Sequence, residues 1–520
     1  MERPLERRRR WPRVLARGAG AGLALALVST SPARARADDS ASLEAPRYVG
    51  REPEAYHLRA AVEELALLVL GSVQYATEQS NSRDWDLHYD WPSFRSKLTG
   101  ESVRFDTNKF DTNMVTHPVA GTLYYVAARG NRLTILESFL YATAASTLWE
   151  YVGEFRELVS INDVIVTPLS GVVVGETLTQ LGNYVRRSRP GIARDVVGAI
   201  LAPSSSAHDA LDGATLRVSE EADGLGLARD AGHAFALSGG GGVLFARNAG
   251  ASVMERVSLH GDLVDVARYH GIGPVSGWMT DGGVTRLDAE ASANRDGWSD
   301  FELDAAVAPF GYYHQDLRRH GAHLSGHRLF VGTGVGFDYG AHRYVSTGRD
   351  GALDHVAGVH AAGIWLSAEG YRGTLRVRVD LETHPEFAAV RSLALDDYTA
   401  QRRDVVALPS VAATQGYYYA LGVVVAPSVE IDSGPIAFGA SARLEAFRGI
   451  EGLDRHQDEI RGEVELTDQR VLARAWVGGS PIDALHLRIT AERRLRRGQI
   501  ADVSASLEES ALVASAGVVF

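Results

Sequence analysis

The chain has no cysteine. That rules out disulfides, thiolate nucleophiles and cysteine metal sites, and it is compatible with export to an oxidising compartment. Basic residues are also in deficit. Lys and Arg number 53 against 65 Asp and Glu, for a net charge of −12. A nucleic-acid partner needs a basic footprint, so that class falls away. No apolar run reaches the ~20 residues of a membrane helix. The best stretch, Leu65 to Val73, is short and follows Glu63 and Glu64. Reaction signatures are missing too. There is no His-Glu-x-x-His and no pair of Glu-x-x-His motifs, as zinc and di-iron sites would show. Gly239 to Gly242 are not followed by the Lys and Ser/Thr of a phosphate loop, so they read as a turn or hinge. Neither a cofactor nor a metal is expected.

The start of the chain is informative. It combines a run of arginines (Arg7 to Arg10), a short apolar stretch around Leu23 to Val28, and small residues before an acidic segment. This is the pattern of a secretory signal peptide over residues 1–37, with Ala35-Arg36-Ala37 as the cleavage site. The arginines lack a twin-arginine consensus. Cleavage would remove nine Arg and two Glu and leave a net charge of −19. Residues 38–54 read as a linker.

From about Ser252 onward the sequence alternates. In YRGTLRVRVDLE, residues 371–382, the apolar Leu375, Val377, Val379 and Leu381 face one way. Arg372, Arg376, Arg378 and Asp380 face the other. DALHLRITAE, IADVSASLE and PIAFGASARLEAF repeat the pattern. Such segments match transmembrane barrel strands, apolar toward lipid and polar toward the lumen. A soluble antiparallel sheet with one wet face is the alternative. The apolar faces are often Ala and Gly beside Val and Leu, and no helix intervenes, which favours the barrel. Candidate strands lie near 253–266, 283–292, 299–310, 326–340, 354–367, 371–382, 414–430, 435–447, 459–477, 483–493, 499–508 and 511–520. The insert from His384 to Ser410 reads as an extracellular loop. The last residues, ALVASAGVVF, alternate and stop at Phe520. An aromatic at the tip of an apolar-faced last strand is similar to outer-membrane barrels, where that strand is the assembly signal.

Residues 55–213 have a different period. Leu58, Val62, Leu65, Val69 and Val73 recur at helical spacing. Further helices are expected from Pro118 to about Gly130, through ESFLYATAASTLWEYVGE, and through SINDVIVTPLSGVVVGE, where Ser160 and Asp163 suggest a capping box. Pro168 should kink the last helix or move its start to Thr167. The expected fold class is therefore α+β: an N-terminal helical module (55–213), a hairpin or hinge (214–250), and an antiparallel transmembrane β-barrel of about 12 strands (251–520).

The segment from Asp106 to Gly213 resembles the bacterial DUF3943 family. The resemblance rests on NKFDTNMVTHPVAGTLYYVAARGN, on ESFLYATAASTLWEYVGE, on SINDVIVTPLSGVVVGE and on GIARDVVGAILAPSSSAHDALDG. One departure is Asn113-Met114, where the family carries Asn-Tyr or Asn-Phe. The resemblance implies an exported protein with a helical module ahead of a barrel, and no activity. The motif residues it marks are His117, Pro118, Gly121, Arg129, Trp149, Glu150, Glu154, Asn162, Asp163, Pro168, Gly175 and Glu176.

Of these, His117, Glu150, Glu154, Asp163 and Glu176 are the candidates for chemistry. Glu150 and Glu154 are four apart and would share a helix face. Glu137, 13 residues before Glu150, would point elsewhere. No Gly-x-Ser-x-Gly elbow frames a serine in the module. The stronger reading is structural. The module would plug the barrel or sit in the periplasm. Its carboxylates would pair with Arg372, Arg376, Arg378, Arg443, Arg470, Arg474 and Arg488 on the inward faces, or with Arg129 inside the module. The expected function is an outer-membrane barrel with an envelope role and no assigned reaction. A lipid-modifying enzyme and a plugged diffusion channel are the alternatives. The expected partners are outer-membrane lipids and the barrel-assembly machinery, with no nucleic acid.

Overall fold

The computed structural model describes residues 43, 47–50, 53–78, 89–246, 250–266, 268–295, 297–321, 323–344, 353–402, 408–456, 464–482 and 485–519. The expected signal peptide and the expected assembly signal at Phe520 lie outside the described residues.

Twelve antiparallel strands close into a barrel, each paired with its sequence neighbour. They are β1 Gly232–Ala246, β2 Gly250–Val264, β3 in two pieces (Gly273–Met279 and Val284–Asn294), β4 Gly297–His320, β5 His323–Arg343 and β6 Leu353–Gly373. Next come β7 Leu375–Arg391, β8 Tyr417–Ser433, β9 Ile436–Gly449, β10 Leu466–Ile482, β11 Leu485–Ile500 and β12 Val503–Val519. Both pieces of β3 pair with β4. The ring closes where β12 pairs with β1, Ala514 opposite Gly241.

The count matches the expectation, but two strands differ. The expected hinge over 214–250 instead supplies β1. Its glycines are wall residues, and Gly240 lies opposite Arg256, whose side chain points inward and reaches Glu492 of β11 at 3.0 Å. The expected break at 508–511 is absent, because β12 runs through it. Glu509 there faces inward and meets His342 at 2.7 Å. The expected loop from His384 also begins later, since β7 continues to Arg391.

The inward face is filled by charges that meet across the lumen. Arg474 of β10 reaches Glu302 of β4 at 3.1 Å, and Arg443 of β9 reaches Asp304 of β4 at 2.8 Å. Arg494 of β11 reaches Asp300 of β4 at 2.9 Å, and Arg378 of β7 reaches Asp262 of β2 at 2.9 Å. These partners sit five or six strands apart on a ring of twelve, so the bridges are diameters. Ionised groups out of water need such partners. Apolar clusters lie toward each end of the lumen. Tyr418, Val390 and Ile500 pack with Tyr398 and Ala412 of the 392–416 connection at one end. Leu43, Tyr313, Phe330 and Trp365 pack at the other.

Among the described residues seven α-helices precede the wall: α1 His57–Glu78, α2 Trp91–Leu98, α3 His117–Gly130, α4 Ile135–Leu148, α5 Ile161–Arg187, α6 Ile192–Leu201 and α7 Pro203–Asp212. Thr134 and Glu137 form the capping box that starts α4. Ser160 makes no side-chain cap on α5, and α5 begins at Ile161 and continues through Pro168 instead of starting at Thr167. At 27 residues α5 extends ~40 Å, enough to cross a membrane.

The module lies against the outside of the barrel. Side chains alternate along β4, so Phe301, Leu303, Ala305 and Val307 point away from the lumen that Asp300, Glu302 and Asp304 face. Ala305, Val307, Phe337, Val359 and Phe387 form one core with Met114, Tyr125, Val166 and Val173 of the module. The expected helical plug is thus corrected. The lumen is occupied by wall side chains, and the helices cover the outer face of β3–β8.

Candidate functional site at the module–wall interface

A polar cluster sits where the module meets the wall. Val103–Arg104 pairs in parallel with Val159–Ser160, which brings Asp106 beside the start of α5. Asn162 accepts the Asp106 backbone N–H at 3.1 Å, and its amide donates to Asp163 at 2.6 Å. Two single π-turns, Thr112–Thr116 and Trp149–Gly153, aim Asn113 and Glu150 inward. Such turns recur at functional sites because they redirect one side chain without ending the helix. The Asn113 amide donates to Asp106 at 2.8 Å and to the hydroxyls of Tyr417 and Tyr419 on β8 at 2.9 and 2.6 Å. Tyr419 in turn donates to Asp106 at 2.7 Å.

His117 begins α3 at this cluster. Its Nε2 lies 3.4 Å from Asp163 Oδ1, and the side chain keeps 18% exposure. Among the described residues no hydroxyl hydrogen-bonds His117, so no serine is set up as a nucleophile. Ser146 instead donates to the Asp163 carbonyl at 3.4 Å.

Glu150 and Glu154 do not share an α-helical face, because α4 ends at Leu148 and the π-turn follows. Glu150 accepts the Ser160 backbone N–H at 2.8 Å. Glu154 accepts the Trp149 indole at 3.0 Å. Lys97 donates to the backbone carbonyl of Glu150 and, at 2.7 Å, to that of Glu154. Neither meets a lumen arginine. The chain just past β9 comes near this point: Phe105 donates its backbone N–H to the Leu453 carbonyl at 2.8 Å, and Arg455 reaches Glu157 at 3.6 Å. Burial, with Glu154 next, holds the Glu150 carboxyl well above its usual range. Burial, with Glu157 next, pushes Glu154 up to about 7.

Glu176 belongs to a separate cluster toward the other end of α5. Arg129 grips it with two hydrogen bonds, at 2.8 and 3.1 Å, and Tyr125 donates to it at 2.7 Å. Arg129 also reaches Asp281 at 3.0 Å, in the break between the two pieces of β3. This planar two-point pairing suits arginine. Gly121, Gly171 and Gly175 let α3 and α5 touch. A Cβ at Gly121 would lie 1.8 Å from the Thr167 carbonyl oxygen, and one at Gly175 would lie 2.6 Å from Tyr125. Pro118 and Pro168 are buried within these helices.

The structure therefore gathers His117, Asn162, Asp163 and Glu150 in one region and leaves Glu176 and Arg129 apart. Asp106, Asn113, Tyr417 and Tyr419 complete the first cluster; Asn113 was noted from sequence only as a departure from the family pattern, and none of the four was a candidate for chemistry. The only sequence signal for the tyrosines is the run YYY at the start of a strand, which turns Tyr417 and Tyr419 outward together.

Residues 102–204 match the family described as Domain of unknown function (DUF3943). No curated protein matches the sequence. Solved structures match at low similarity. The translocator domain of the autotransporter NalP from Neisseria meningitidis is 11% identical, with 62% of this chain and 98% of that one covered and a TM-score of 0.22. The beta domain of the Bordetella autotransporter BrkA is 12% identical, over 56% and 100%, with a TM-score of 0.21. The outer-membrane channel DcaP of Acinetobacter baumannii is 10% identical, over 58% and 100%, with a TM-score of 0.18.

Proposed function

We propose that the protein is a sealed outer-membrane barrel that holds a helical domain within the membrane, against its outer wall. Its role is to anchor that domain in the envelope, and it conducts no solute. One observation carries this reading. The apolar stripe of α1 points away from the protein: Leu58, Val62, Leu65, Val69 and Val73 are 80, 59, 61, 56 and 56% exposed. Between Leu58 and Val73 no charged residue of α1 is exposed. That span is ~22 Å long, close to the ~25 Å apolar band of an outer-membrane barrel. Leu136, Leu140 and Leu148 of α4 and Val119 and Leu123 of α3 extend the same apolar surface. An apolar area this large in water marks an interaction face. Beside the apolar outer residues Leu421, Val423 and Phe438 of the wall, its natural neighbour is lipid.

Association inside lipid gains little from the hydrophobic effect, so helices there rely on close packing and hydrogen bonds. The glycine contacts of α3 with α5 and the polar cluster at Tyr417 and Tyr419 supply both. The lumen bridges support the non-conducting half of the proposal. Planar-bilayer recording of the full chain tests that half, with outer-membrane fractionation and heat-modifiable migration as the check on folding. No stepwise conductance is expected; regular conductance steps from correctly folded protein would contradict a sealed barrel.

A further inference from the structure

The helical module has two ends, and each carries a short helix whose apolar face the fold leaves uncovered. In α6, Ile192, Val196 and Ile200 recur at helical spacing with Val197 beside them. All four are exposed, Ile192 at 85% and Ile200 at 71%. Of this helix only Gly198 is buried. In α2, Trp91, Arg95 and Leu98 fall on one exposed face, Trp91 at 65%. Asp90 caps α2, and its other side is held to the segment after α4. There Phe94 stacks on Phe155 with planes 7° apart, and Lys97 donates to the carbonyls of Glu150 and Glu154.

The wall gives these two ends a direction. Turns of one or two residues join β6 to β7, β8 to β9 and β10 to β11, at the end where β1 begins and β12 finishes. The connections after Arg343, Arg391 and Gly449 are longer and lie at the other end. Outer-membrane barrels keep the short turns in the periplasm and the long connections outside. The polar cluster of the module meets Tyr417, where β8 leaves the long-connection end, and α2 sits beside that cluster. The far end of α5 meets the periplasmic end, Arg187 reaching Asp265 just past β2 at 2.9 Å. So α5 runs from the outer side to the periplasmic side. Its ~40 Å length matches a bilayer with its headgroup layers, ~40–45 Å. That puts α2 and α6 at the two headgroup levels.

The contacts of α6 also say where its free face looks. It folds back along the last turns of α5: a Cβ at Gly182 would lie 2.5 Å from Ala202, and one at Gly198 would strike the Arg186 side chain. The apolar face therefore looks sideways, in the plane of the membrane, as the outer wall does. Charges surround it at this level. Arg186 meets Asp209 at 2.7 Å, and Arg189 is exposed in the turn between the two helices.

We propose that α6 inserts its apolar face among the phospholipids of the periplasmic leaflet, and α2 its Trp91–Leu98 face into the outer leaflet. The two interfacial helices clamp the module across the membrane. Helices with one apolar face and arginines beside it settle ~5–10 Å into this boundary, and tryptophan is enriched there. Arginine stems reach from such a position to the phosphates. This extends the lipid location proposed above for the module and depends on it. A second copy of the chain, or a periplasmic protein, is the competing cover for α6. Either would keep lipid away from Ile192 and Ile200. The clamp sets the cluster of His117, Asp163 and Glu150 at the level of the outer-leaflet headgroups.

The test places spin labels at Ile192→Cys, Ile200→Cys and Leu98→Cys, one at a time, in the full chain. The protein is reconstituted into vesicles of phosphatidylethanolamine and phosphatidylglycerol, and heat-modifiable migration confirms that each variant is folded. Oxygen and a water-soluble nickel chelate measure depth, with Leu65→Cys as the deep reference. Depths of ~5–10 Å are expected at all three positions, shallower than at Leu65→Cys. Free access of the chelate to Ile192→Cys and Ile200→Cys, with Leu65→Cys shielded, would overturn the clamp and leave the module in lipid. Exclusion of both reagents would mean a protein cover and would overturn it as well. Chelate access at Leu65→Cys too would remove the lipid location itself. Direction is read on intact cells with a maleimide too large for porins. Glu101→Cys, just after α2, should react at once, and Asp195→Cys only after the outer membrane is permeabilised. The reverse order would overturn the assignment of α2 to the outer leaflet.

Discussion

Tyr419 and Asp106 stand 313 residues apart in sequence and share a 2.7 Å hydrogen bond. The first lies on the outer face of wall strand β8, the second at the entry to the helical module. With Asn113 between them, they fasten the module to the barrel through polar contacts in an otherwise apolar seam.

Tyr419→Phe removes one donor from a buried carboxylate. Asp106 keeps its bond from Asn113, so the loss is one hydrogen bond to a charged group, about 1.5–3 kcal/mol. The module should become easier to cleave in limited proteolysis, and its urea midpoint should fall, while the barrel keeps its heat-modifiable migration. An unchanged midpoint would mean that the seam does not depend on this contact.

The helix crossing should be intolerant of even one methyl group. Gly121→Ala places a Cβ 1.8 Å from the Thr167 carbonyl oxygen, whereas Gly239 on the wall has open space around its Cβ position. Overpacking of this kind costs about 1–3 kcal/mol. Gly121→Ala should therefore lower module stability, and Gly239→Ala should leave it near the parent value. Equal behaviour of the two variants would count against close α3–α5 packing.

Stability should also depend on pH through Glu154. Its folded value is about 7, against 4.5 for the free side chain. The folded state therefore holds an extra proton between those values, and stability falls as pH rises through that window. Module protection from protease should weaken from pH 5 to pH 7 and level off above it. Glu154→Gln should flatten part of that slope; an identical slope in the variant would remove Glu154 from the account.

Much of this was legible in the sequence, and the rest failed for physical reasons. Period-2 alternation exposed the wall, because lipid and lumen impose opposite polarities on successive residues. Strand β1 was hidden since Gly239 to Gly242 carry no side chains to alternate. The break proposed between 508 and 511 failed because Glu509 faces the charged lumen and Glu508 pairs with Arg493 of the neighbouring strand, so both charges sit within one continuous strand. The α1 stripe was visible as a helix face, but a stripe buried in a core and one facing lipid look alike. The inward arginines were placed correctly at 376, 378, 443, 470 and 474, yet Arg378, Arg443 and Arg474 find partners on strands across the ring. Pairing across a closed ring needs the closure, which no local pattern contains. Likewise, His117 and Asp163 stood out as motif residues, while Tyr417 and Tyr419, more than 250 positions away, did not.

The central claim is that the module lies in lipid against the outer wall. The absence of native cysteine makes single labels straightforward. Spin labels at Leu65→Cys, Val69→Cys and Leu140→Cys, in the full chain reconstituted into bilayers, can be compared with Leu421→Cys on the wall. The account predicts high access to oxygen and low access to a water-soluble nickel chelate at all four positions. Ready access of the nickel chelate to the three module positions, with Leu421→Cys still shielded, would place the module in water and contradict it.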